Sequence, residues 1–335
     1  MTEQRKTGWL RLAESDPIVR ALDTLLRGAG QVMFQDSAWT GLFFLLGIIW
    51  GAWHEGIPEV AVGALIGLTI GTIAAYILAA PKEDIRKGLH GYNGILVGCA
   101  LPTFFGSTLV CWVLVAAGSF FSTVIMLAVS RFLRTWKISA MTGPFVFTTW
   151  FILLASYNFA HFKIVGLPHP DLPVQPSDAM VALPGAEAMM QAILKGISQV
   201  FLIGNDVTGA LFLVGLAGAS LPAAIFAWCG SAVAVFTAYF LGASGGAVAN
   251  GMYQFSAVLT AIGLGTTFYS PNWRVALYAL LGTVFTVVVQ GALNVALAPL
   301  GIPTLTFPFV IAAWLFLLPN IQFMPESHRS DSPSV

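Results

Sequence analysis

The sequence predicts an all-α integral membrane protein built from two related halves that run in opposite directions through a bilayer. Three observations predict it. The 335 residues are 57% hydrophobic and only 9% charged, with a mean hydropathy of +0.82, where a soluble domain carries about 25% charged residues. No Asp, Glu, Lys or Arg occurs in the 67 residues between Asp206 and Arg274, or in the 51 between Arg274 and Glu326. At roughly 20 residues per span these stretches hold several membrane helices. Finally, one stretch occurs twice: LRGAGQVMFQDSAWTGLFFLLGI (26–48) lies over LKGISQVFLIGNDVTGALFLVGL (194–216) at a shift of 168, with 9 of 23 positions identical. Each copy is a short piece carrying a glutamine, then a break, then a long apolar run. A half-length helix followed by a full span is how duplicated membrane proteins build a site at mid-bilayer.

The elements follow in order. Residues 1–25 alternate charge with Trp9, Leu10, Leu12, Ile18, Val19, Leu22 and Leu25, which reads as an N-terminal amphipathic helix on the cytoplasmic surface. The charged start is much longer than the n-region of a cleavable signal peptide. The first transmembrane repeat is expected over 26–160. Residues 26–35 are too short to cross and form a half-helix, after which Asp36 caps the next span. Apolar runs lie at about 39–53, 59–80, 88–105, 107–130 and 144–160. Residues 161–187, proline-rich and without periodicity, form an extracytoplasmic connector. The second repeat, 188–320, follows the same plan: a half-helix at 188–203, Asn205 and Asp206 as caps, then runs at about 207–220, 222–243, 250–268, 274–297 and 303–319. Residues 321–335 make a cytoplasmic C-terminal tail.

Charge sets the orientation. With five crossings per half and the N-terminus inside, 13 of the 15 Lys and Arg residues fall on the cytoplasmic side, Arg5, Lys6 and Arg329 among them. Only Lys163 and Lys195 fall outside, in the sense of the positive-inside rule. Both termini are then cytoplasmic, and an odd number of crossings inverts the second repeat. Two more blocks recur: GLHGYNGILVGCAL (88–101) against GMYQFSAVLTAIGL (251–264), and Thr142–Val146 against Thr306–Val310 with Trp150 answering Trp314.

Several function classes drop out. Fifteen basic residues balance fifteen acidic ones, so there is no basic field for nucleic acid. Cys99, Cys111 and Cys229 lie in apolar runs without CxxC spacing and read as buried thiols. His54, Glu55 and Glu59 follow Trp50 and Trp53 and read as solvated charges beside an interfacial aromatic belt rather than as metal ligands. His90, one turn from Asn93, reads as a packed, hydrogen-bonded imidazole. No nucleophile–base pair, phosphate loop or paired intramembrane carboxylate is present, so neither an enzyme nor a cofactor is indicated. Proton or sodium carriers normally hold an ionisable residue inside a span, and these spans hold almost none.

The ordered set of duplicated motifs, Gln-Val-x7-Thr-Gly, Gly-Tyr-Asn-x-x-Leu-Val-Gly and Thr-x-Pro-Phe, resembles the urea transporter family over about residues 20–320. The resemblance implies a homotrimer in the inner (plasma) membrane, each protomer enclosing one pore between two inverted five-helix repeats with re-entrant half-helices. It implies passive permeation of urea through a narrow slot. Carried over by position, Gln31, Gln199, Thr142 and Thr306 supply a ladder of oxygens. Phe34 and Leu202 form the slot at one end, and Tyr92 and Phe255 the slot at the other. Leu96, Leu259, Val32 and Val200 flank the centre. Leu202 departs from the family's phenylalanine, as do Asp36-Ser37-Ala38 and Gly204-Asn205-Asp206 from its Asn-Pro turns, and Gln254-Phe255-Ser256 from its Gly-Phe-Asn. Plainer roles stay open: the glutamines as helix–helix hydrogen bonders, the threonines bonding their own i−4 carbonyls, the aromatics as packing.

These residue types suit urea. It is planar, uncharged and strongly polar, and burying its polar groups without partners costs several kcal/mol each, roughly 2–7. Gln and Thr oxygens accept from its N–H edges, while flat apolar side chains cover its faces. The alternatives are a channel for related small amides or ammonia and, less in keeping with the charge-free spans, an ion-coupled small-solute carrier.

Overall fold

A computed structural model describes residues 8–173 and 184–322, and these are helical apart from turns and a single antiparallel bridge between Phe105 and Ile164. Arg5, Lys6, Arg329, most of the C-terminal tail and the middle of the connector lie outside the described residues. Two N-terminal helices, α1 (Gly8–Ser15) and α2 (Pro17–Gln31), break where Asp16 caps the second. Its Oδ1 accepts from the Ile18 and Val19 N–H groups at 2.7 and 3.1 Å, and Pro17 sits at the first helical position, where no N–H is needed. The half-helix therefore begins at Pro17 and runs unbroken past residue 25, because the amphipathic residues 18–25 continue its apolar face.

The rest of the first half is α3 (Ala38–His54), α4 (Pro58–Ile77), α5 (Lys82–Arg86), α6 (Gly91–Phe104), α7 (Leu109–Leu133) and α8 (Gly143–Ala155). The second half is α9 (Ala186–Ser198), α10 (Asp206–Ala219), α11 (Leu221–Phe240), α12 (Gly245–Ala249), α13 (Phe255–Ile262, continued by a π turn over Gly263–Thr267), α14 (Trp273–Leu297) and α15 (Phe307–Leu317). Among the described residues, α4, α7, α11 and α14 are long and apolar enough to cross a membrane, and α9 and α10 make a further broken pair bent by 75°. The helices α3, α8 and α15 and the α13–π segment are shorter and equally apolar.

Elements α2 to α8 recur as α9 to α15 in the same order. Left-handed backbone recurs with them: Phe34 and Leu202 (φ 65° and 60°), Gly88 and Gly251 (76° and 80°), Met141 and Leu305 (both 50°). Non-glycine residues rarely hold such angles. Contacts between the halves are reciprocal. Thr40 Oγ1 donates to the Gly215 carbonyl and Thr208 Oγ1 to that of Gly47, each at 2.9 Å. Trp150 Nε1 donates to the Pro303 carbonyl and Trp314 Nε1 to that of Ser139, at 2.8 and 3.0 Å. Partners that exchange places in this way are the mark of a local two-fold relation, and they set α3 against α10, and α8 against α15, antiparallel.

Backbone packs directly on backbone between α4 and α6. A Cβ on Gly63 would overlap the Gly98 carbonyl oxygen, one on Gly67 that of Gly94, and the converse holds from α6. Small residues let backbones approach where lipid provides no hydrophobic drive for helices to associate. The related residues of the second half are Phe226, Gly230, Ala257 and Ala261, so α11 and α13 pack through side chains instead.

The helix caps correct one expectation. Ser37 Oγ, not Asp36, accepts from the Thr40 N–H (3.3 Å), as Asn205 Oδ1 does from Thr208 (3.0 Å). Asp36 instead receives Arg27 Nη1 at 2.5 Å, and Arg27 Nε reaches Asp23 at 2.7 Å. Asp206 turns to the N–H of its own neighbour Val207. Cys99 and Cys111 are buried and Cys229 half-buried.

Candidate functional site

The site is built where the two halves meet. Thr142 and Thr306 are the N-caps of α8 and α15, and their hydroxyl oxygens lie 2.7 Å apart, both side chains buried. Neither bonds its own i−4 carbonyl. The sequence places them so because Pro144 and Pro308, each at the second helical position, start the helices two residues on. The residues just before, Met141 and Leu305, hold the paired left-handed backbone, at a cost of order 1–3 kcal/mol each. In the first half the strained turn is held from α6: Tyr92 Oη donates to the Met141 carbonyl at 2.8 Å, and Asn93 Nδ2 reaches the same oxygen at 3.4 Å.

Asn93 also accepts from the Phe145 N–H at 3.0 Å through Oδ1, satisfying a first-turn donor of α8 that would otherwise be orphaned. With both ends committed it has nothing for His90, which is buried with neither ring nitrogen hydrogen-bonded among the described residues. The imidazole is thus packed but not hydrogen-bonded. In the second half Ser256 stands in for Asn93. It is too short to copy the bond, and its hydroxyl is buried without a partner. Ser256→Asn is therefore expected to stabilise the protein by about 1 kcal/mol, and Asn93→Ser to destabilise it by at least as much. Thermal unfolding in detergent measures both, and equal melting points for Ser256→Asn and the parent would count against this account.

The two glutamines end α2 and α9 alike. Gln31 Nε2 donates to the Lys87 carbonyl at 2.9 Å, and Gln199 Nε2 to the Asn250 carbonyl at 3.0 Å. Anchoring the nitrogen leaves the side-chain carbonyl oxygen as the accepting atom. Lys87 belongs to an exposed pair with Glu83 at 2.7 Å, a contact that raises the ammonium and lowers the carboxyl from their ordinary values. Val32, Val200, Leu96 and Leu259 are all buried. Phe34 packs edge-on to Phe268 and Phe309, with ring centroids 5.7 and 5.9 Å away.

A cavity of about 530 Å³ opens on the connector side of the Thr142–Thr306 contact. Gln199, Val200, Leu202, Phe255 and Thr306 all line it. Leu202 thus shares its mouth with Phe255, not with Phe34, which corrects the expected pairing of the slots. The reason is local: Gln199 is tied to Asn250, just before α13, so the end of α9 and the start of α13 in one half close on the same space. Gln290, Asn294 and Thr304, which no duplicated motif contains, also line this cavity. A polar Gln290 inside an otherwise apolar span was the available signal. His54 and Glu55 are exposed, as expected of charges beside the interfacial belt, and Asn205 Nδ2 donates to Glu55 at 3.0 Å and lies 3.4 Å from His54 Nδ1. Among the described residues no group of three His, Cys, Asp or Glu side chains is placed to hold a metal ion.

An apolar helical body with a polar contact at its two-fold centre matches known proteins along its length. The family model for the urea transporter matches residues 22–321. Urea transporter 1 of Ovis aries is 27% identical over 331 residues, covering 95% of this chain and 83% of its own length. The proteins of the same name from Rattus norvegicus and Mus musculus are 27% and 28% identical over the same shares of each chain. With so nearly the whole chain matched, the protein belongs to the urea transporter family.

Proposed function

We propose that the chain is a passive urea channel whose path runs through the Thr142–Thr306 contact, and that contact is the observation carrying the reading. In it, two hydroxyls from related half-turns, 2.7 Å apart, stand between a 530 Å³ cavity and the end of α2, where Gln31 and Phe34 hold the related positions. Urea entering from the connector side meets Gln199 and the Leu202–Phe255 slot and parts the two threonines. It then passes Gln31 and the Phe34–Tyr92 slot. At each station an oxygen accepts an N–H that has left water, and holds it weakly enough to let go.

The two repeats are inverted about an axis in the membrane plane, with five crossings each. The protein sits in the inner membrane with both termini cytoplasmic, as a homotrimer with a pore in every protomer. Positive charge on the α5 loop and after α7 supports the orientation. A channel for other small amides is the second reading, favoured by Leu202, whose branched side chain replaces a flat ring.

Stopped-flow urea entry into proteoliposomes tests the mechanism. The expected result is fast, non-concentrative flux that is unchanged by imposed pH or sodium gradients. Accumulation that needs either gradient would sink the uncoupled mechanism.

A further inference from the structure

The cavity on the connector side has a polar wall that the repeat does not generate. Gln290, on α14, is 2% exposed. Its Nε2 donates to Thr304 Oγ1 at 2.6 Å and to Asn294 Oδ1 at 2.9 Å, and all three residues line the cavity. The positions related by the repeat, at the shift of 164 that sets Thr142 over Thr306, hold Met126, Ser130 and Ala140, so this amide cluster belongs to one mouth only.

Counting hydrogens gives the cluster a direction. Both amide hydrogens of Gln290 are used within it. Thr304 and Asn294 each receive one on oxygen, which leaves the Thr304 O–H and the Asn294 amide hydrogens as donors. Elsewhere around the same cavity, Gln199 presents the reverse: its nitrogen is held by Asn250 and its oxygen accepts. A neutral amide needs both kinds of partner, acceptors for its N–H groups and donors for its carbonyl oxygen.

We propose that Asn294 and Thr304, positioned by Gln290, form a docking subsite that takes the carbonyl oxygen of an incoming small amide and turns its N–H edge toward Gln199 and Thr306. The proposal rests on the urea reading and adds a specificity element to it. A solute of the same shape with a poor acceptor in place of the carbonyl gains nothing from the subsite. Thiourea is that solute, with the same N–H groups and a weakly accepting sulfur.

The test compares urea and thiourea flux at low concentration through the full chain in proteoliposomes. Asn294→Asp keeps an oxygen for Gln290 and removes the donors, while Thr304→Val keeps the shape and removes the hydroxyl. Each variant is expected to lower urea flux about three- to tenfold and leave thiourea flux within about twofold, and Thr304→Ser should restore the parental ratio. Asn294 is exposed, so its variant carries the test if Thr304→Val does not fold. An equal fall for both solutes would mean a purely structural role and overturn the proposal, as would unchanged urea flux in variants of a conducting parent. A parent that passes no urea would overturn the urea reading, and this proposal with it.

Discussion

Thr306→Leu is expected to cut urea flux by about tenfold to a hundredfold while the protein stays folded. The hydroxyl pair joins the caps of α8 and α15 directly, side chain to side chain. A urea N–H passing a leucine there loses its acceptor where water cannot replace it, at about 1–3 kcal/mol, and each 1.4 kcal/mol is a factor of about ten in rate. Thr142→Leu should do the same, because the contact lies on the two-fold relation. Thr306→Ser should conduct nearly as the parent, since it keeps the oxygen. Stopped-flow measurements on the three variants decide the matter, and parental flux through Thr306→Leu would place the narrow point elsewhere.

Gly98→Ala should destabilise the protein by about 3 kcal/mol or more, at the upper end for overpacking a core. The added methyl would meet the Gly63 carbonyl oxygen, a backbone atom that no rotamer change can move aside. Relief requires α6 to withdraw from α4, and α6 carries Tyr92, Asn93 and Leu96. Flux should therefore fall along with stability. The reverse change at the related position, Ala261→Gly, should cost only about 1 kcal/mol, the helix propensity difference, since α11 and α13 already meet through side chains. Thermal unfolding in detergent compares the two, and a Gly98→Ala protein that melts with the parent would remove the close helix contact as a source of stability.

Much of the fold is legible because lipid makes composition a strong signal. The ends of α4, α7, α11 and α14 lie within a few residues of the apolar runs that predict them, since charge and proline can sit only at the margins. The start of α2 was hidden: residues 18–25 are amphipathic and continue the half-helix without any change in its helical character. Asp36 and Ser37 are both good caps, and only the shift of 168 that sets Ser37 over Asn205 separates them. The pairing of Leu202 with Phe255 was illegible because 52 residues lie between them, and nothing local says which mouth each faces. Gln290 and Asn294, one turn apart on α14, were visible as a polar pair, but Thr304 joins them only when the loop before α15 folds back on α14.

The meeting of Thr142 and Thr306 has an electrostatic consequence. Each caps the N-terminus of a helix, so two N-termini converge on one point. Aligned peptide dipoles give each helix start the equivalent of about half a positive charge. The midpoint is thus a barrier to hydronium, sodium and ammonium, and none of the described residues lining the adjoining cavity is a carboxylate that would offset it, while a neutral solute feels only the gradient of that field. A cell can then let urea equilibrate across the membrane without discharging its membrane potential.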